Sequence, residues 1–421
     1  MGVEGSLLDT ISDFYTESRE CNGYPLSRLG HSEPRLRSLV TQAVERLVAE
    51  GKITLVFRSQ GNPHVKRFPD RPVSEQLERL QAEGLESACA YPSAPVIQAA
   101  MDVEQFDKRP FSKRLWLGEP QLLPLFFFDL KVLEPYFAEP RYICGGAIRT
   151  PDTYWYELPE EDRIHLETYG HAKNAGGDWA VAAFLWDLHE LPPKHQQHWN
   201  SHAASGDYTA DPDWLIPNLE GHMSPGISVY TAILEEQEVI VKMCRLIQRP
   251  PLFRNSYRWE RRPEAFCPLL RPTRRNFFNF VQDLDKLLSD NLNRDFFRGE
   301  VELEEEISRE DGRVEVRQKG TLRLLAEFLD KWVQNTAPQA AGDTDVTEML
   351  KPLKEVRQIR NDTSHRLLDD AHDREFWPKQ EHLVRRVYAA LKEIRCLLAL
   401  DPRAAACDVP DRLREGRITV F

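Results

Sequence analysis

The spacing of apolar residues predicts two helices and a hairpin in the first 70 residues. Two helical stripes are formed by Leu7, Leu8, Ile11 and Phe14, and by Leu36, Leu39, Val40, Ala43, Val44 and Leu47. Gly51 is expected to end the second helix, because glycine tolerates the left-handed backbone found there. Strand-like runs at 53–58 and 64–68 flank a turn-forming segment at 59–63, which predicts a β-hairpin.

The pattern in residues 71–245 predicts an α+β middle domain for which we can name no family. Residues 74–82 are typical of a helix, and the apolar run 122–128 is typical of a buried strand or a short core helix. Residues 177–191 predict an apolar helix that ends at Pro192, since proline cannot continue a helix. The chain contains no phosphate-binding loop and no dinucleotide-binding glycine motif.

Residues 272–400 carry the pattern of a helical bundle, with helices predicted at 276–297, 322–334, 347–363 and 376–400. An acidic segment at 300–318 alternates apolar and polar residues around a turn, which predicts an inserted β-hairpin. The chain is therefore predicted to be α+β and mostly helical. Its predicted parts are an N-terminal domain (1–70), the middle domain (71–245), a basic linker (246–271), the bundle (272–400) and a C-terminal tail (401–421).

The N-terminal order of helices followed by a turn-rich hairpin resembles a winged helix-turn-helix domain. In DNA-binding members of that class, one helix enters the major groove while the hairpin contacts the backbone. The basic residues that would serve here are Arg35, Arg37 and Arg46 on the helix, and Arg58, His64, Lys66 and Arg67 on the hairpin. Glu33, Glu45 and Glu50 stand beside those arginines. Both a DNA partner and a protein partner therefore remain open for residues 1–70.

The predicted linker is rich in arginine and contains aromatic residues, a composition that suits single-stranded nucleic acid. The candidates for nucleic-acid binding at and beside this linker are Arg254, Arg258, Trp259, Arg261, Arg262, Arg274 and Arg275. The alternative is an interdomain seam in which these arginines pair with the chain's surplus carboxylates, and the interspersed prolines and apolar residues slightly favour it.

The whole chain carries 55 basic and 67 acidic residues, a formal net charge of −12. This balance excludes a protein that coats nucleic acid through bulk positive charge, so any such contact needs a local patch. The seven cysteines are scattered and never spaced C-x-x-C, which argues against disulfides and against a cysteine zinc site. No apolar run is long enough for a transmembrane helix, and no secretory signal is apparent, so we expect a cytoplasmic protein without a membrane partner.

Three histidines, His195, His198 and His202, share one face of a predicted helix. Three imidazoles could hold zinc. No carboxylate stands among them, so we expect instead a helix that is solvated or packed through Trp199, with neither a metal nor another cofactor.

The sequence Arg360-Asn361-Asp362-Thr363-Ser364-His365 ends the third predicted bundle helix. An arginine followed by asparagine, three residues and histidine, late in a helical bundle, resembles the motif of the HEPN superfamily (higher eukaryotes and prokaryotes nucleotide-binding). Arginine–histidine spacings of this length also occur elsewhere, as at Arg58 and His64. Only Arg360 has both the following asparagine and the bundle context.

Helix geometry places Arg360 on the apolar stripe formed by Val346, Met349, Leu350, Leu353 and Val356. A guanidinium in that position must be paired or lie at an interface, because burying an unpaired charge is costly. Arg357, Asn361 and His365 fan out along the edge of the stripe. Snorkelling at the helix C-terminus would explain Arg360 but not its polar neighbours.

The resemblance implies a metal-independent endoribonuclease of a kind often found among toxins and anti-phage defence effectors. His365 would be the general acid or base, Arg360 would stabilise the phosphorane, and Asn361 would orient His365 or hold a phosphate oxygen. Arg357 and Ser364 are supporting candidates, and Arg357 could replace Arg360. The resemblance also implies RNA as substrate and a homodimer formed through the bundle.

Two alternatives remain from the sequence. One is a non-catalytic HEPN-like bundle that serves dimerisation or nucleic-acid binding, and the other is a winged-helix transcription regulator.

Overall fold

The computed structural model describes residues 3–18, 21–29, 34–100, 107–221, 226–308, 314–340, 345–364 and 369–419, which form two compact units divided after Gly221. The fold is α+β and mostly helical, as predicted. The predicted boundaries at 70 and 245 both fall inside a unit.

The first unit combines short helices with small antiparallel sheets. Its helices are α1 (Val3–Glu17), α2 (Pro34–Ala49), α3 (Val73–Glu83), α4 (Ala94–Ala100), α5 (Pro110–Trp116), α6 (Glu134–Ala138), α7 (Asp152–Trp155), α8 (Leu185–His189), α9 (Pro193–Ser201) and α10 (Pro212–Glu220). Its strands are β1 (Tyr24–Pro25), β2 (Ile53–Phe57), β3 (Ala88–Pro92), β4 (Phe126–Asp129), β5 (Ile143–Cys144), β6 (Ile148–Arg149), β7 (His165–Leu166), β8 (Gly170–Asn174), β9 (Trp179–Ala183) and β10 (Tyr208–Ala210).

The hairpin predicted near residue 60 does not form. β2 pairs with β3 instead, in a sheet of order β1-β3-β2. Residues 64–68 are not a strand and do not pair with β2. Their carbonyls accept hydrogen bonds from elsewhere: His64 from Gly23, Lys66 from Gln121 and Arg67 from Leu123. The wing expected from the sequence is therefore absent at this position, and the N-terminal sheet extends beyond residue 70.

The apolar segment 177–191 is not one helix. Its first part is β9, which pairs with both β8 and β4 in a sheet of order β10-β8-β9-β4, and its second part is the short helix α8. Ala180 to Ala183 are completely buried. A strand buried on both faces is apolar throughout, so periodicity alone does not separate it from a buried helix. The last three residues of the run at 122–128 lie in β4, and of these only Phe128 is buried, so the predicted buried strand is present in part.

The second unit is a helical bundle with two small β elements. Its helices are α11 (Val229–Leu246), α12 (Arg274–Leu287), α13 (Arg294–Phe297), α14 (Thr321–Thr336), α15 (Val346–Met349), α16 (Lys351–Ser364), α17 (Phe376–Leu398), α18 (Pro402–Ala405) and α19 (Asp411–Arg414). Its strands are β11 (Ile227–Ser228), β12 (Glu304–Ser308), β13 (Val314–Gln318) and β14 (Ile418–Thr419).

The bundle is larger than the sequence indicated. α11 packs against α17 and α12 packs against α16, so α11 belongs to the bundle rather than to the middle domain. The predicted linker contributes Leu252, Phe253, Phe266 and Leu269 to the same buried core. The predicted tail contributes Leu413 to that core, and its strand β14 pairs with β11. Buried apolar residues therefore make all of these segments part of one unit.

The predicted acidic hairpin is confirmed. β12 pairs antiparallel with β13, from Glu304 opposite Gln318 to Ser308 opposite Val314. The turn predicted at Glu310-Asp311-Gly312 lies outside the described residues. None of the helices within the described ranges is both long enough and apolar enough to cross a bilayer.

A buried ion pair joins α17 to α11. The Arg395 guanidinium donates from Nε to Oε2 of Glu236 at 2.6 Å and from Nη2 to Oε1 at 3.3 Å. Glu236 is completely buried and the side chain of Arg395 is 9% exposed. Removing one partner would leave a buried charge uncompensated.

We therefore expect Arg395→Met to lower the free energy of unfolding of this unit by about 3–5 kcal/mol, measured by urea denaturation of the full chain. The matched control is Arg412→Ala, which removes a more exposed pair between Arg412 and the neighbouring Glu235. That loss should stay below about 1 kcal/mol. Equal losses for the two variants would contradict the assigned role of the buried pair.

Candidate functional site

Helix α16 presents the candidate arginines next to the bundle core. Val346, Leu350, Leu353 and Val356 are at most 2% exposed and pack inside the bundle, as the predicted stripe requires. Arg360 follows Val356 by about one helical turn on the same side, and its side chain is 33% exposed. The guanidinium is thus partly withdrawn from water.

Two carboxylates face these arginines from α12 and the turn that follows it. Arg360 Nε lies 3.9 Å from Oδ2 of Asp285, and Arg360 Nη2 lies 3.9 Å from Oδ2 of Asp290. Arg357 Nη2 donates to Oδ1 of Asp290 at 2.8 Å. The pairing that the sequence required of a guanidinium on the apolar side is therefore present.

Asp285 is the most deeply buried charge of this cluster, with 0% exposure. Neither of its carboxylate oxygens makes a hydrogen bond of acceptable geometry within the described part of the chain. Burial raises the pKa of the Asp285 carboxyl, and the charge of Asp290 adds to the shift. The nearby Ser289 hydroxyl and the positive charges of Arg357 and Arg360 oppose it. The arginines thus partly compensate a carboxylate that water does not reach.

The geometry separates the roles of the two arginines. Arg357 is hydrogen-bonded to Asp290, whereas Arg360 stands between both carboxylates at ion-pair distance and donates from Nη1 to Oδ1 of Asn361 at 3.4 Å. Asn361 is exposed at the last turn of α16. Arg360 and Asn361 therefore lie together at an accessible helix end, and Arg357 lies one turn earlier.

His365 lies outside the described residues, and the side chain of Ser364 is likewise not described. Their predicted roles remain predictions. The described part of the motif consists of Arg357, Arg360 and Asn361.

The arginine-rich segment makes several contacts within its own unit. The Arg262 guanidinium lies 3.9 Å from the centre of the Trp259 ring and donates to the Trp259 carbonyl. Arg274 donates to the Asp369 carbonyl at 2.8 Å, and Arg275 lies 3.9 Å from the Asp370 carboxylate. These contacts lie within the second unit, so they are not an interdomain seam, but they do engage Arg262, Arg274 and Arg275 with other parts of that unit.

The remaining linker candidates, Arg254, Arg258 and Arg261, are exposed and form no ion pair with any described residue. Arg254 lines a groove beside Arg357, so these two candidates are brought together. Fewer arginines of the predicted linker are therefore available to contact nucleic acid than its composition suggests.

Two of the N-terminal candidates, Lys66 and Arg67, make contacts within the first unit itself. The Lys66 side chain is 8% exposed, and its ammonium donates to the Gly118 carbonyl and pairs with Asp70, both at 2.6 Å. Arg67 donates from Nη1 to the Leu219 carbonyl at 3.4 Å. Lys66 is therefore a buried structural cation rather than a contact for DNA phosphates.

Two of the three histidines, His195 and His198, lie on α9, and His202 directly follows its last residue. Nδ1 of His195 and the Tyr136 hydroxyl are 2.8 Å apart, and Trp199 donates to the same hydroxyl at 3.1 Å. Burial lowers the pKa of His195 to about 4, so it is neutral at neutral pH. The expected Trp199-packed helix is thus present. The described residues contain no cluster of three potential metal ligands.

The sequence interpretation did not identify Asp285 and Asp290. A signal for Asp285 existed, because it follows Phe277 and Val281 at four-residue intervals and so interrupts the apolar stripe of α12. Arg360 interrupts the stripe of α16 in the same way. Two opposite charges on two buried helix faces predict that those faces meet.

No family model matches the chain, and neither a curated protein nor a solved structure is similar enough to count as a match.

We expect Asp285→Asn to be more stable than the wild type at about pH 7, with the difference shrinking as the pH falls to about 4. A carboxyl whose pKa is raised by folding stabilises the native state most when protonated, and this contribution is lost as the pH rises through the raised pKa. Thermal unfolding across this pH range measures the effect.

The control for this series is Asp408→Asn, since Asp408 is exposed in the same unit. It should show no growing advantage at higher pH. A constant difference between Asp285→Asn and the wild type would contradict a raised pKa of the Asp285 carboxyl.

Proposed function

We propose that this protein is a metal-independent endoribonuclease of the HEPN type, acting through Arg360, Asn361 and His365. The observation that carries the proposal is the placement of Arg360 and Asn361. They lie together at an exposed helix end of a helical bundle, with Arg360 held by Asp285 and Asp290. A cation fixed before substrate arrives stabilises a developing charge with little reorganisation.

The reaction needs only proton transfers and charge stabilisation. The 2′-hydroxyl oxygen bonds to phosphorus as its proton passes to a base, and the bond from phosphorus to the 5′-oxygen breaks as that oxygen accepts a proton. A histidine side chain ordinarily titrates near neutrality, so His365 would supply one of these transfers. The planar guanidinium of Arg360 donates to the non-bridging oxygens. The products carry 2′,3′-cyclic phosphate and 5′-hydroxyl ends.

A second copy of the chain is part of the proposal. One motif holds one imidazole, whereas the reaction uses both a base and an acid. A homodimer through the bundle would place a second motif at the same cleft and supply the other proton transfer. The proposed role as a toxin or anti-phage effector rests on the resemblance to the HEPN superfamily alone. A fold by itself does not define a biological role.

The contacts of helix α2 argue against the alternative of a winged-helix transcription regulator. Arg37 pairs with Glu86 at 3.3 Å, and Arg46 pairs with Glu4 at 2.5 Å. These pairs reduce the positive charge that α2 could offer to phosphates.

We expect His365→Ala to lower RNA cleavage in EDTA by about 10²–10⁴-fold, because a general acid or base is lost. Arg360→Ala should lower it by about 10²–10³-fold through loss of charge stabilisation. Total RNA and defined oligonucleotides serve as substrates, and mass spectrometry identifies the cyclic phosphate ends.

The matched control is His382→Ala, since His382 is an exposed histidine on α17 of the same unit. Its cleavage rate should equal that of the wild type. Identical rates for the wild type and His365→Ala would refute the ribonuclease. If the wild type proves dimeric but inactive, the non-catalytic bundle becomes the better description.

A further inference from the structure

A groove of about 520 Å³ lies beside the candidate site in the second unit. Four arginines line it: Arg254, Arg294, Arg323 and Arg357. The carboxylate that lines it is Asp290, which is hydrogen-bonded to Arg357. Four arginines and one carboxylate thus line one concave surface of a chain whose net charge is −12. The volume is within the range of pockets that hold small ligands or one unit of a polymer.

Three of these four arginines make hydrogen bonds or ion pairs with other residues of the second unit. Arg357 is hydrogen-bonded to Asp290, as described above. Arg294 donates to the carbonyls of Lys319 and Leu303, while Arg323 pairs with Glu305 and Glu327. Arg254 differs, because it is exposed and forms no ion pair with the part of the chain that the structure describes. A guanidinium without a carboxylate partner can give its donors to a ligand without first breaking an ion pair.

The end of the groove adds donors of a second kind. Gly320 and Thr321 line it at the N-terminus of the 16-residue helix α14, and no side chain caps that terminus. Backbone N–H groups at a helix N-terminus favour an anion. The completely buried Ser289 also lines the groove.

The groove adjoins the candidate catalytic residues. Arg357 forms part of its wall, and Asp290 lies close to both Arg357 and Arg360. Arg360 and Asn361 follow Arg357 on the same helix by three and four residues, so they lie about one turn away. A strand with one phosphate in the groove would therefore have a neighbouring phosphate near Arg360.

We propose that this groove binds a phosphate of single-stranded RNA adjacent to the scissile phosphate, with Arg254 as its main contact. This inference rests on the proposed ribonuclease for the identity of the ligand. The same chemistry would suit the phosphates of a free nucleotide, so the experiment includes both sources. Arginine and backbone N–H groups are the donors that phosphate oxygens commonly receive in proteins.

The test measures binding of a fluorescent 2′-O-methyl RNA oligonucleotide to the full chain by anisotropy, as a function of salt. This oligonucleotide lacks the attacking hydroxyl, so binding is separated from cleavage. Arg254→Ala should weaken binding by about tenfold, as expected for one charge-assisted contact. The slope of log K against log salt should fall by about 0.7, because one phosphate contact is lost.

The matched control is Arg245→Ala, since Arg245 is exposed in the same unit, forms no ion pair with its described residues and does not line the groove. Its binding should equal that of the wild type, and circular dichroism checks that both variants fold. Equal effects of the two substitutions would overturn the groove assignment. Tighter, Arg254-dependent binding of a nucleoside triphosphate than of the oligonucleotide would overturn RNA as the ligand.

Failure of the groove and failure of the ribonuclease give different results. Binding that depends on Arg254 without any cleavage of unmodified RNA would refute the proposed activity and leave the groove as an RNA-binding site. Cleavage that depends on His365, with binding insensitive to Arg254, would refute the groove and leave the ribonuclease.

Discussion

Opposite charges on buried helix faces constrain the second unit. An ionised side chain inside an apolar interface costs several kcal/mol unless a partner compensates for the lost water. Asp285 interrupts the apolar face of α12 and Arg360 interrupts that of α16, while Arg395 and Glu236 meet between α17 and α11. Sliding α12 along α16, or α17 along α11, by one turn would leave a charge without its partner. These pairs therefore limit how the helices can face one another.

The same constraint prepares the candidate site. Because Asp285 and Asp290 hold the arginines from one side, the guanidinium of Arg360 is positioned at the end of α16 without a substrate. The arginines do not fully compensate for the burial of Asp285. The pKa of its carboxyl is raised by burial even though Arg357 and Arg360 act to lower it. An incoming phosphate would add negative charge to a cluster that already contains two carboxylates. The nearby cation Arg254 offsets part of that charge.

Helix positions in the second unit could be predicted because an amphipathic helix records its buried face in its own sequence. The predicted helices at 322–334 and 376–400 correspond to α14 and α17, and the hairpin at 300–318 contains β12 and β13. Strand pairing in the first unit was harder to predict from the sequence. β2 pairs with Ala88–Pro92 rather than with 64–68, and residues 179–183 form a central strand instead of part of a helix. Both errors concern long-range pairing, for which a local pattern holds no information.

The sequence by itself determined the apolar faces, the acidic hairpin, and the need for a partner at Arg360, because each follows from a local period or from the cost of burying a charge. Tertiary structure decided which charges meet: it set Asp285 and Asp290 against Arg360 from about 70 residues away in the chain, and it placed Arg254 beside Arg357. It also drew Lys66 and Arg262 into contacts within their own units. Whether a basic residue is available to a ligand depends on what the folded chain packs around it, and residues distant in sequence supply those neighbours.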